Sequence, residues 1–180
     1  MNIRIISGSF GGRYISAPDG TRTHPMGERI RNALFNIIGS EIVDAHVLDA
    51  FAGTGSIGLE AISRGASHAT FIENDRIAQK VIDANITTLD VKDRTKLVKS
   101  SVASWQSTYD GPLFDIIFAD PPYQDVQFST VTSLMGLLKP GALMVLSHPG
   151  RSECPTRPGV VVVDNRSYGD ATLTLFRLEE

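Results

Sequence analysis

The fold of this chain is decided by the stretch Val47-Leu48-Asp49-Ala50-Phe51-Ala52-Gly53-Thr54-Gly55-Ser56-Ile57-Gly58. A short apolar run precedes the glycines, and helical spacing follows from Ser56 to Arg64, where Gly65 ends it. The three glycines fit the pattern G-x-G-x-x-G, which allows a tight turn, close approach of the backbone to a ligand and close helix–sheet packing. The stretch therefore predicts a strand that turns into a helix beside a bound ligand.

The same alternation of strand and helix continues outward from this unit, over residues 46–146. Such alternation predicts an α/β fold with a mostly parallel sheet and helices on both faces. The last two strands are separated by a turn at Tyr168-Gly169 and predict an antiparallel C-terminal hairpin. We expect seven strands, at residues 47–50, 69–72, 95–98, 114–119, 143–146, 160–163 and 172–177, with a helix that runs through Leu138 and stops at Pro140-Gly141.

The N-terminal segment has a different pattern. Residues 4–6 and 13–15 flank a glycine-rich turn and predict a short hairpin, and apolar residues at helical spacing predict a helix from Glu28 to Gly39. We therefore divide the chain into a hairpin-and-helix extension at residues 1–40 and a main domain at residues 41–180.

The composition excludes several protein classes. The chain has 180 residues, of which 42% are hydrophobic, and its net charge is -3. This is typical of one compact domain, and no apolar run approaches the roughly 20 residues that span a bilayer. The single cysteine, Cys154, excludes an internal disulfide and a CxxC metal site. We expect a cytoplasmic protein without a membrane partner.

The charge is unevenly distributed along the chain. Residues 1–31 carry +3 from five arginines against Asp19 and Glu28, so the remaining residues carry -6. A basic segment on an acidic body can contact a polyanion, although a solvated surface rich in arginine explains the same count.

Two acidic residues point to the class of cofactor. Glu73 lies about 20 residues beyond the glycines, where a carboxylate can accept hydrogen bonds from both hydroxyls of a ribose. Asp49 lies at the end of the first strand, where its charge would repel a dinucleotide pyrophosphate but favour a sulfonium and an ammonium group. The pair therefore favours S-adenosylmethionine over NAD.

A second motif, Asp120-Pro121-Pro122-Tyr123, follows the strongest predicted strand. Neither proline can donate a backbone hydrogen bond, so the Pro121 carbonyl and the Asp120 carboxylate form a pair of acceptors that suits an NH2 group. The Tyr123 ring can stack on a planar base. Two acceptors on an aromatic amine free its lone pair and stabilise the charge that develops when it attacks a methyl sulfonium. This chemistry requires no metal and no covalent intermediate.

Together these motifs resemble the class I, S-adenosylmethionine-dependent amino-methyltransferases, which have a Rossmann-like fold. The N-terminal stretches at residues 4–13 and 25–37 resemble the bacterial RsmD family, which methylates N2 of a guanine in small-subunit (16S) ribosomal RNA. The resemblance covers nearly the whole chain and is densest from residue 3 to residue 123.

The resemblance implies roles for individual residues. It implies catalytic roles for Asp120, Pro121, Pro122 and Tyr123. It implies that the cofactor contacts Asp49, Ala50, Phe51, Gly53, Gly55, Glu73, Asn74, Ser101, Val102 and Asp120. It implies that RNA phosphates meet Arg4, Arg13, Arg22, His24, Arg29 and Arg31.

The sequence departs from the family pattern at two places. His24-Pro25-Met26-Gly27 stands where the family has an arginine and two hydroxyls, and Ser101-Val102 stands where an acidic or amide side chain often meets adenine. At the second place the Val102 backbone amide would have to meet the adenine.

Alternatives remain at this stage. The target NH2 group could belong to adenine in DNA or to a protein glutamine, and a non-catalytic RNA-binding module is a further alternative. The sequence leaves open the nucleotide, the choice between naked RNA and an assembling small ribosomal subunit, and the oligomeric state. We interpret His148 as structural or as a surface residue, and we do not expect Cys154 to act as a nucleophile.

Overall fold

The computed structural model describes residues 1–18, 25–150 and 154–180, and these form nine strands and five α-helices. The strands are β1 (Asn2–Arg4), β2 (Tyr14–Ser16), β3 (His46–Ala50), β4 (His68–Glu73), β5 (Thr95–Lys99), β6 (Phe114–Ala119), β7 (Leu138–Pro149), β8 (Val160–Tyr168) and β9 (Ala171–Leu178). The helices are α1 (Glu28–Ile38), α2 (Ser56–Ser63), α3 (Arg76–Leu89), α4 (Val102–Thr108) and α5 (Phe128–Leu134).

Seven of the strands form one sheet in the order β5-β4-β3-β6-β7-β9-β8. Strands β3 to β7 are parallel, and β9 pairs antiparallel with both β7 and β8. The predicted mostly parallel sheet with a C-terminal hairpin is therefore confirmed. The chain leaves β3 toward β4 on one side and returns to β6 on the other, so the strand order reverses beside β3. In open α/β sheets a ligand binds in the crevice at such a reversal, outside the carboxyl ends of the strands.

Helices cover both faces of this sheet. Because side chains alternate along a strand, Val47 packs in one core with residues of α1, α2 and α3, while Leu48 packs in a second core with residues of α4 and α5. Both side chains are fully buried, which explains why the parallel strands read as continuous apolar runs. Within the described part of the chain, no helix has the length and apolar character needed to cross a bilayer.

The N-terminal hairpin is a separate two-stranded sheet, with Ile3 opposite Ile15. The predicted hairpin is confirmed, although its first strand lies at Asn2–Arg4 instead of the predicted residues 4–6. Ile3 and Ile15 belong to the same core as α1, α2 and α3. The Asn85 side chain joins β2 to the glycine loop, because its Nδ2 donates to the Ser16 and Thr54 carbonyls at 2.9 and 3.1 Å. A boundary at residue 40 stays a prediction.

The structure differs from the sequence-based prediction at two elements. The predicted helix through Leu138 ends instead at Leu134, a short 3-10 turn follows, and Leu138 already pairs with Phe114. A register shift between Phe114 and Ile116 accommodates Pro140, since a bulge needs no ladder donor there. Helix α4 was not predicted; it is only seven residues long and has a single buried residue, Val102, so its periodicity is weak.

Candidate active site

A cavity of about 1220 Å³ runs along the carboxyl ends of the parallel strands. Residues that follow β3, β4, β5 and β6 contribute to its wall, as does Ser147 on β7. The order of strands in the sheet therefore orders the wall from Ser101 after β5 to Ser147. The wall consists of Pro25, Met26, Gly27, Ile30, Phe51, Ala52, Gly53, Thr54, Ser56, Ile57, Ile72, Glu73, Asn74, Asp75, Arg76, Ile77, Ser100, Ser101, Val102, Asp120, Pro121, Pro122, Tyr123, Gln124, Gln127, Ser147 and Ala171.

The glycine loop between β3 and α2 forms the middle of this wall. Phe51, Gly53 and Gly55 all have positive φ angles, of 56°, 59° and 79°. These left-handed conformations turn the chain sharply into α2, as the glycines predict. The loop is fixed by Glu73, whose Oε1 accepts a hydrogen bond from the Gly53 amide at 2.7 Å, while its Oε2 accepts one from the Asp75 amide at 2.7 Å. The sequence-predicted acid and the glycine loop are therefore in direct contact.

Asp49 lies beneath the loop rather than in the cavity. Its side chain is 1% exposed, and its Oδ2 accepts a hydrogen bond from the Gly58 amide at 2.9 Å. Burial raises the pKa of Asp49 well above its usual range, and the charges of Asp120 and Glu73 raise it further, against the opposing Gly58 hydrogen bond. The charge argument that the sequence offered for Asp49 is therefore not supported. Asp49 holds the first turn of α2.

Most of the other predicted cofactor residues line the cavity. Phe51, Gly53, Glu73 and Asn74 lie on it, as do Ser101, Val102 and Asp120. Asp49, Ala50 and Gly55 do not line the cavity, so their contact with the cofactor stays a prediction. Ala50 is fully buried in the sheet, and Gly55 is the N-cap residue that precedes α2.

The far side of the predicted cofactor site is formed where β5 runs into α4. The Ser101 side chain caps this helix, accepting a hydrogen bond from the Ser104 amide at 3.2 Å. Ser100 and Ile77 also line the cavity here, and the sequence analysis missed both. Ser100 directly follows the observed end of β5 at Lys99, but it lies two residues beyond the predicted end at Val98, so the predicted bounds did not single it out.

The Asp120–Tyr123 motif lies on the same cavity, after β6. All four residues line it, which brings together the two motifs that the sequence singled out. Burial raises the pKa of Asp120 to about 7, and the neighbouring Ser147 hydroxyl opposes that shift. Tyr123 is 38% exposed, and its hydroxyl lies 2.8 Å from Ser147 Oγ. Ser147 was not predicted as a site residue, although it directly follows the predicted strand 143–146, and this position was the available signal.

The start of α1 closes the cavity on the side of this motif. Pro25, Met26, Gly27 and Ile30 all contribute to the wall. Three of these belong to the segment that departs from the family pattern. The departure therefore lies beside the candidate site for the acceptor base.

The predicted RNA-contacting residues are divided between surface and interior. Arg29 is exposed. Arg13 is exposed and donates to the Thr88 carbonyl at 3.0 Å, and Arg4 pairs with Glu28 at the surface. Arg22 and His24 lie outside the described residues.

Arg31 corrects the expectation made for it. It is 1% exposed, its Nε lies 3.4 Å from Glu60 Oε1, and its Nη1 donates to the Met26 carbonyl at 3.3 Å. Burial lowers the pKa of Arg31, and the Glu60 carboxylate opposes this. A guanidinium held in the interior in this way cannot meet an RNA phosphate, so the expectation that Arg31 binds RNA is wrong.

His148 is a structural residue. It is 1% exposed, and its Nε2 lies 2.8 Å from Thr174 Oγ1 and 3.5 Å from Cys154 Sγ. Burial lowers the pKa of His148, so the ring favours its neutral form. Neither His148 nor Cys154 lines the cavity.

Known proteins share both the sequence and the fold. A family model described as "Conserved hypothetical protein 95" matches residues 3–177. Ribosomal RNA small subunit methyltransferase D of Escherichia coli strain K12 is 36% identical over 159 residues, covering 87% of this chain and 79% of its own. The Haemophilus influenzae protein of the same name is 34% identical over 147 residues, covering 79% and 76%. The solved structure of Escherichia coli yhhF has a TM-score of 0.89 at 33% identity and covers 99% of both chains.

Proposed function

Because this chain belongs to the family described as "Conserved hypothetical protein 95", the RsmD family of methyltransferases, we propose that it transfers a methyl group from S-adenosylmethionine to N2 of a guanine in small-subunit (16S) ribosomal RNA. One observation carries the proposal. Asp120, Pro121 and Tyr123 line the same cavity as the glycine loop and Glu73. A pair of acceptors for an NH2 group thus adjoins a candidate site for a nucleoside cofactor.

The residues of the cavity fit S-adenosylmethionine. The Glu73 oxygens each have a second lone pair that can accept from a ribose hydroxyl, beyond the two backbone amides they already bind. Phe51, Ile72, Ile77 and Val102 give the apolar wall that an adenine ring requires. The acidic side chains of Glu73 and Asp120 suit the positive charges of the sulfonium and ammonium groups. When bound, the cofactor supplies a methyl group on a positively charged sulfur.

The chain's own residues prepare the acceptor nitrogen. The Asp120 carboxylate and the Pro121 carbonyl accept the two N–H bonds of guanine N2, while the Tyr123 ring stacks on the base. The N2 lone pair forms the new N–C bond, and the electron pair of the broken C–S bond stays with sulfur. Positive charge develops on the nitrogen and is stabilised by the two acceptors. The alkylated nitrogen is acidic, so its extra proton leaves to water without a dedicated base.

The N-terminal extension is proposed to bind the RNA around the target. Arg29 lies at the start of α1, close in sequence to Met26 and Gly27 on the cavity wall. An exposed guanidinium there suits a phosphate next to the target nucleotide. N2 of a guanine stacked in a duplex cannot enter a cavity, so the nucleotide must be flipped out or lie in a loop.

The proposal is tested by offering the purified protein S-adenosylmethionine with a labelled methyl group, together with ribosomal RNA, DNA or protein. We expect label in RNA, at N2 of guanine by mass analysis of the nucleosides. Asp120→Ala should lower the rate about a hundredfold or more, since it removes an acceptor that acts in the transition state. Its cofactor affinity, measured by calorimetry without RNA, should change by a few-fold at most.

Asp125→Ala is the matched control, because Asp125 lies in the same loop but is exposed and does not line the cavity. This variant should methylate RNA at the normal rate. Label in DNA or protein instead of RNA would overturn the proposed substrate, and a fully active Asp120→Ala variant would overturn the mechanism.

A further inference from the structure

The wall of the cavity carries charges that oppose its proposed substrate. Of the described residues that line it, Glu73, Asp75 and Asp120 are acidic, and Arg76 alone is basic. RNA is a polyanion, so these carboxyl groups disfavour the approach of its phosphates. A methyltransferase that draws one nucleotide of an RNA into this cavity therefore needs positive charge at the mouth, and Arg76 is the candidate on the wall itself.

The side chain of Arg76 is exposed, and the carboxylates near it are already engaged. Both Glu73 oxygens accept backbone hydrogen bonds, and Asp75 Oδ2 accepts one from the Ala78 amide at 2.9 Å. Within the part of the chain that the structure describes, the guanidinium of Arg76 forms no hydrogen bond, ion pair or ring contact. It is therefore available to a ligand.

The helix that Arg76 begins does not explain a cation at this position either. Arg76 is the first residue of α3 and directly follows the N-cap residue Asp75. The amino end of a helix carries partial positive charge, which favours acidic side chains and disfavours basic ones. Helix stability therefore gives no reason for a guanidinium here, whereas an anion at the mouth of the cavity does.

The position of Arg76 relative to the site for the base follows from the order of the strands. Arg76 follows β4, Asp120 follows β6, and β3 lies between these two strands. Because neighbouring strands lie about 5 Å apart, the two chain positions are separated by about 10 Å along the edge of the sheet. Arg29 is in the first turn of α1, which packs against β6 through the rings of Phe35 and Phe118. The two exposed arginines therefore lie on different sides of β3.

We propose that Arg76 binds the RNA phosphate on one side of the target guanosine, and that Arg29 binds the phosphate on its other side. The inference rests on the proposed function, since it concerns the substrate of the same site. A nucleotide that is flipped into the cavity leaves its backbone across the mouth, so the phosphates before and after it lie at different parts of the rim. A guanidinium donates two parallel hydrogen bonds to a phosphate, and this geometry positions the backbone as well as attracting it.

The methionine carboxylate of the cofactor is a second anion that a guanidinium can bind, and the layout of the cavity disfavours it for Arg76. The methyl sulfonium must reach the amine held by Asp120 after β6, while Glu73 at the end of β4 is the proposed ligand of the ribose. The methionine end of the cofactor therefore lies toward β6, and Arg76 lies at the ribose end.

Arg76→Ala tests the proposal through the salt dependence of RNA binding. Filter binding of ribosomal RNA at several salt concentrations should give a slope of log K against log salt that is smaller than that of wild type by about 1, as for one lost phosphate contact. The KM for RNA should rise about tenfold while kcat changes by about threefold at most. Calorimetry without RNA should show the wild-type affinity for S-adenosylmethionine.

Further variants separate the charge of Arg76 from its geometry and its position. Arg76→Lys keeps the charge but not the paired hydrogen bonds, so its slope should match wild type while its KM for RNA lies between those of wild type and Arg76→Ala. Lys96→Ala removes an exposed charge near the amino end of β5, away from the cavity, and should match wild type throughout. The double variant Arg29→Ala, Arg76→Ala should lose about 2 from the slope, because two phosphates are involved.

The outcomes distinguish this inference from the proposed function. An unchanged slope in Arg76→Ala overturns the inference, and a loss of cofactor affinity in its place assigns the guanidinium to the methionine carboxylate. A double variant that loses only about 1 from the slope places both arginines on one phosphate, which overturns the arrangement on two sides of the nucleotide. These results leave methyl transfer at Asp120 standing, whereas the proposed function fails first if wild type methylates no RNA.

Discussion

The guanidinium of Arg31 and the carboxylate of Glu60 form an ion pair in the interior, with Nε and Oε1 3.4 Å apart and side-chain exposures of 1% and 0%. Glu60 also accepts from the Ile6 and Ser7 amides and pairs with Arg64. A single buried carboxylate on α2 thus joins the N-terminal hairpin, through its turn, to helix α1. The buried ion pair of Arg31 and Glu60 therefore holds the basic extension against the main domain.

Removing Arg31 should destabilise the fold rather than weaken RNA binding directly. Arg31→Ala leaves the Glu60 carboxylate buried with fewer partners, and breaking such a pair costs about 3 kcal/mol. Urea unfolding, compared with Arg29→Ala, measures this difference. Arg29 is exposed, so its replacement should shift the free energy of unfolding by less than about 0.5 kcal/mol. Equal midpoints for the two variants would show that the ion pair does not stabilise the protein.

Arg29 is the arginine of α1 that remains available for RNA. Arg29→Ala should weaken RNA binding and reduce the slope of log K against log salt by about 1, as expected for the loss of one phosphate contact. Filter binding at several salt concentrations gives the slope. Lys92→Ala removes an exposed positive charge at the opposite, amino end of the sheet and should leave the slope unchanged. An unaltered slope for Arg29→Ala would exclude its phosphate contact.

The packing of the glycine loop should not tolerate a methyl group at Gly58. A Cβ there would lie 2.3 Å from Phe71 Cε1 and 3.2 Å from Asp49 Oδ2. Gly58→Ala should therefore lower the free energy of unfolding by about 2 kcal/mol and weaken binding of S-adenosylmethionine, because α2 and its loop must move. Thermal unfolding and calorimetry measure the two effects.

The control for this change is Gly27→Ala. Its added Cβ would meet nothing within 4 Å, and its φ of -59° is ordinary for any residue. Gly27→Ala should unfold like wild type. If Gly58→Ala does so as well, the loop adapts more easily than the contacts with Phe71 and Asp49 indicate.

The raised pKa of Asp120 predicts opposite effects of pH on activity and stability. The acceptor role requires the ionised carboxylate, so the rate of methylation should fall as pH drops through about 7. A bound sulfonium should move this midpoint to lower pH. The folded-state pKa lies above the unfolded value, so the contribution of Asp120 to stability is present at low pH and is lost as pH rises through about 7.

Asp120→Asn, which cannot ionise, tests the stability effect. In the cofactor-free state, the free energy of unfolding of the variant relative to that of wild type should be more favourable at pH 8 than at pH 4. The measurement is the free energy of urea unfolding at both pH values. A constant difference between the two proteins across this range would show that Asp120 titrates normally.

Local patterns were enough for the elements whose evidence lies within a few residues. The run Phe114–Ala119 was predicted with the observed bounds, because a strand buried on both faces must be apolar throughout. Helix α4 was not predicted, because it buries only Val102. The start of β7 was not predicted either, because Leu138 pairs with Phe114 beside a register shift. A short helix and an irregular pairing have no period for a sequence to show.

The sequence by itself determined the α/β alternation, the glycine loop, the acid that meets it and the order of the two motifs, because each depends on backbone conformation or on neighbours in the chain. Tertiary structure alone decided which charged groups are exposed and which hydroxyl groups reach the candidate site. Arg31 is removed from the surface by Glu60, 29 positions later. Ser147 meets the Tyr123 hydroxyl, 24 positions earlier, only because β6 and β7 pair. Burial and hydrogen-bond partners are properties of residues distant in sequence, and these set the charge state and the geometry of the site.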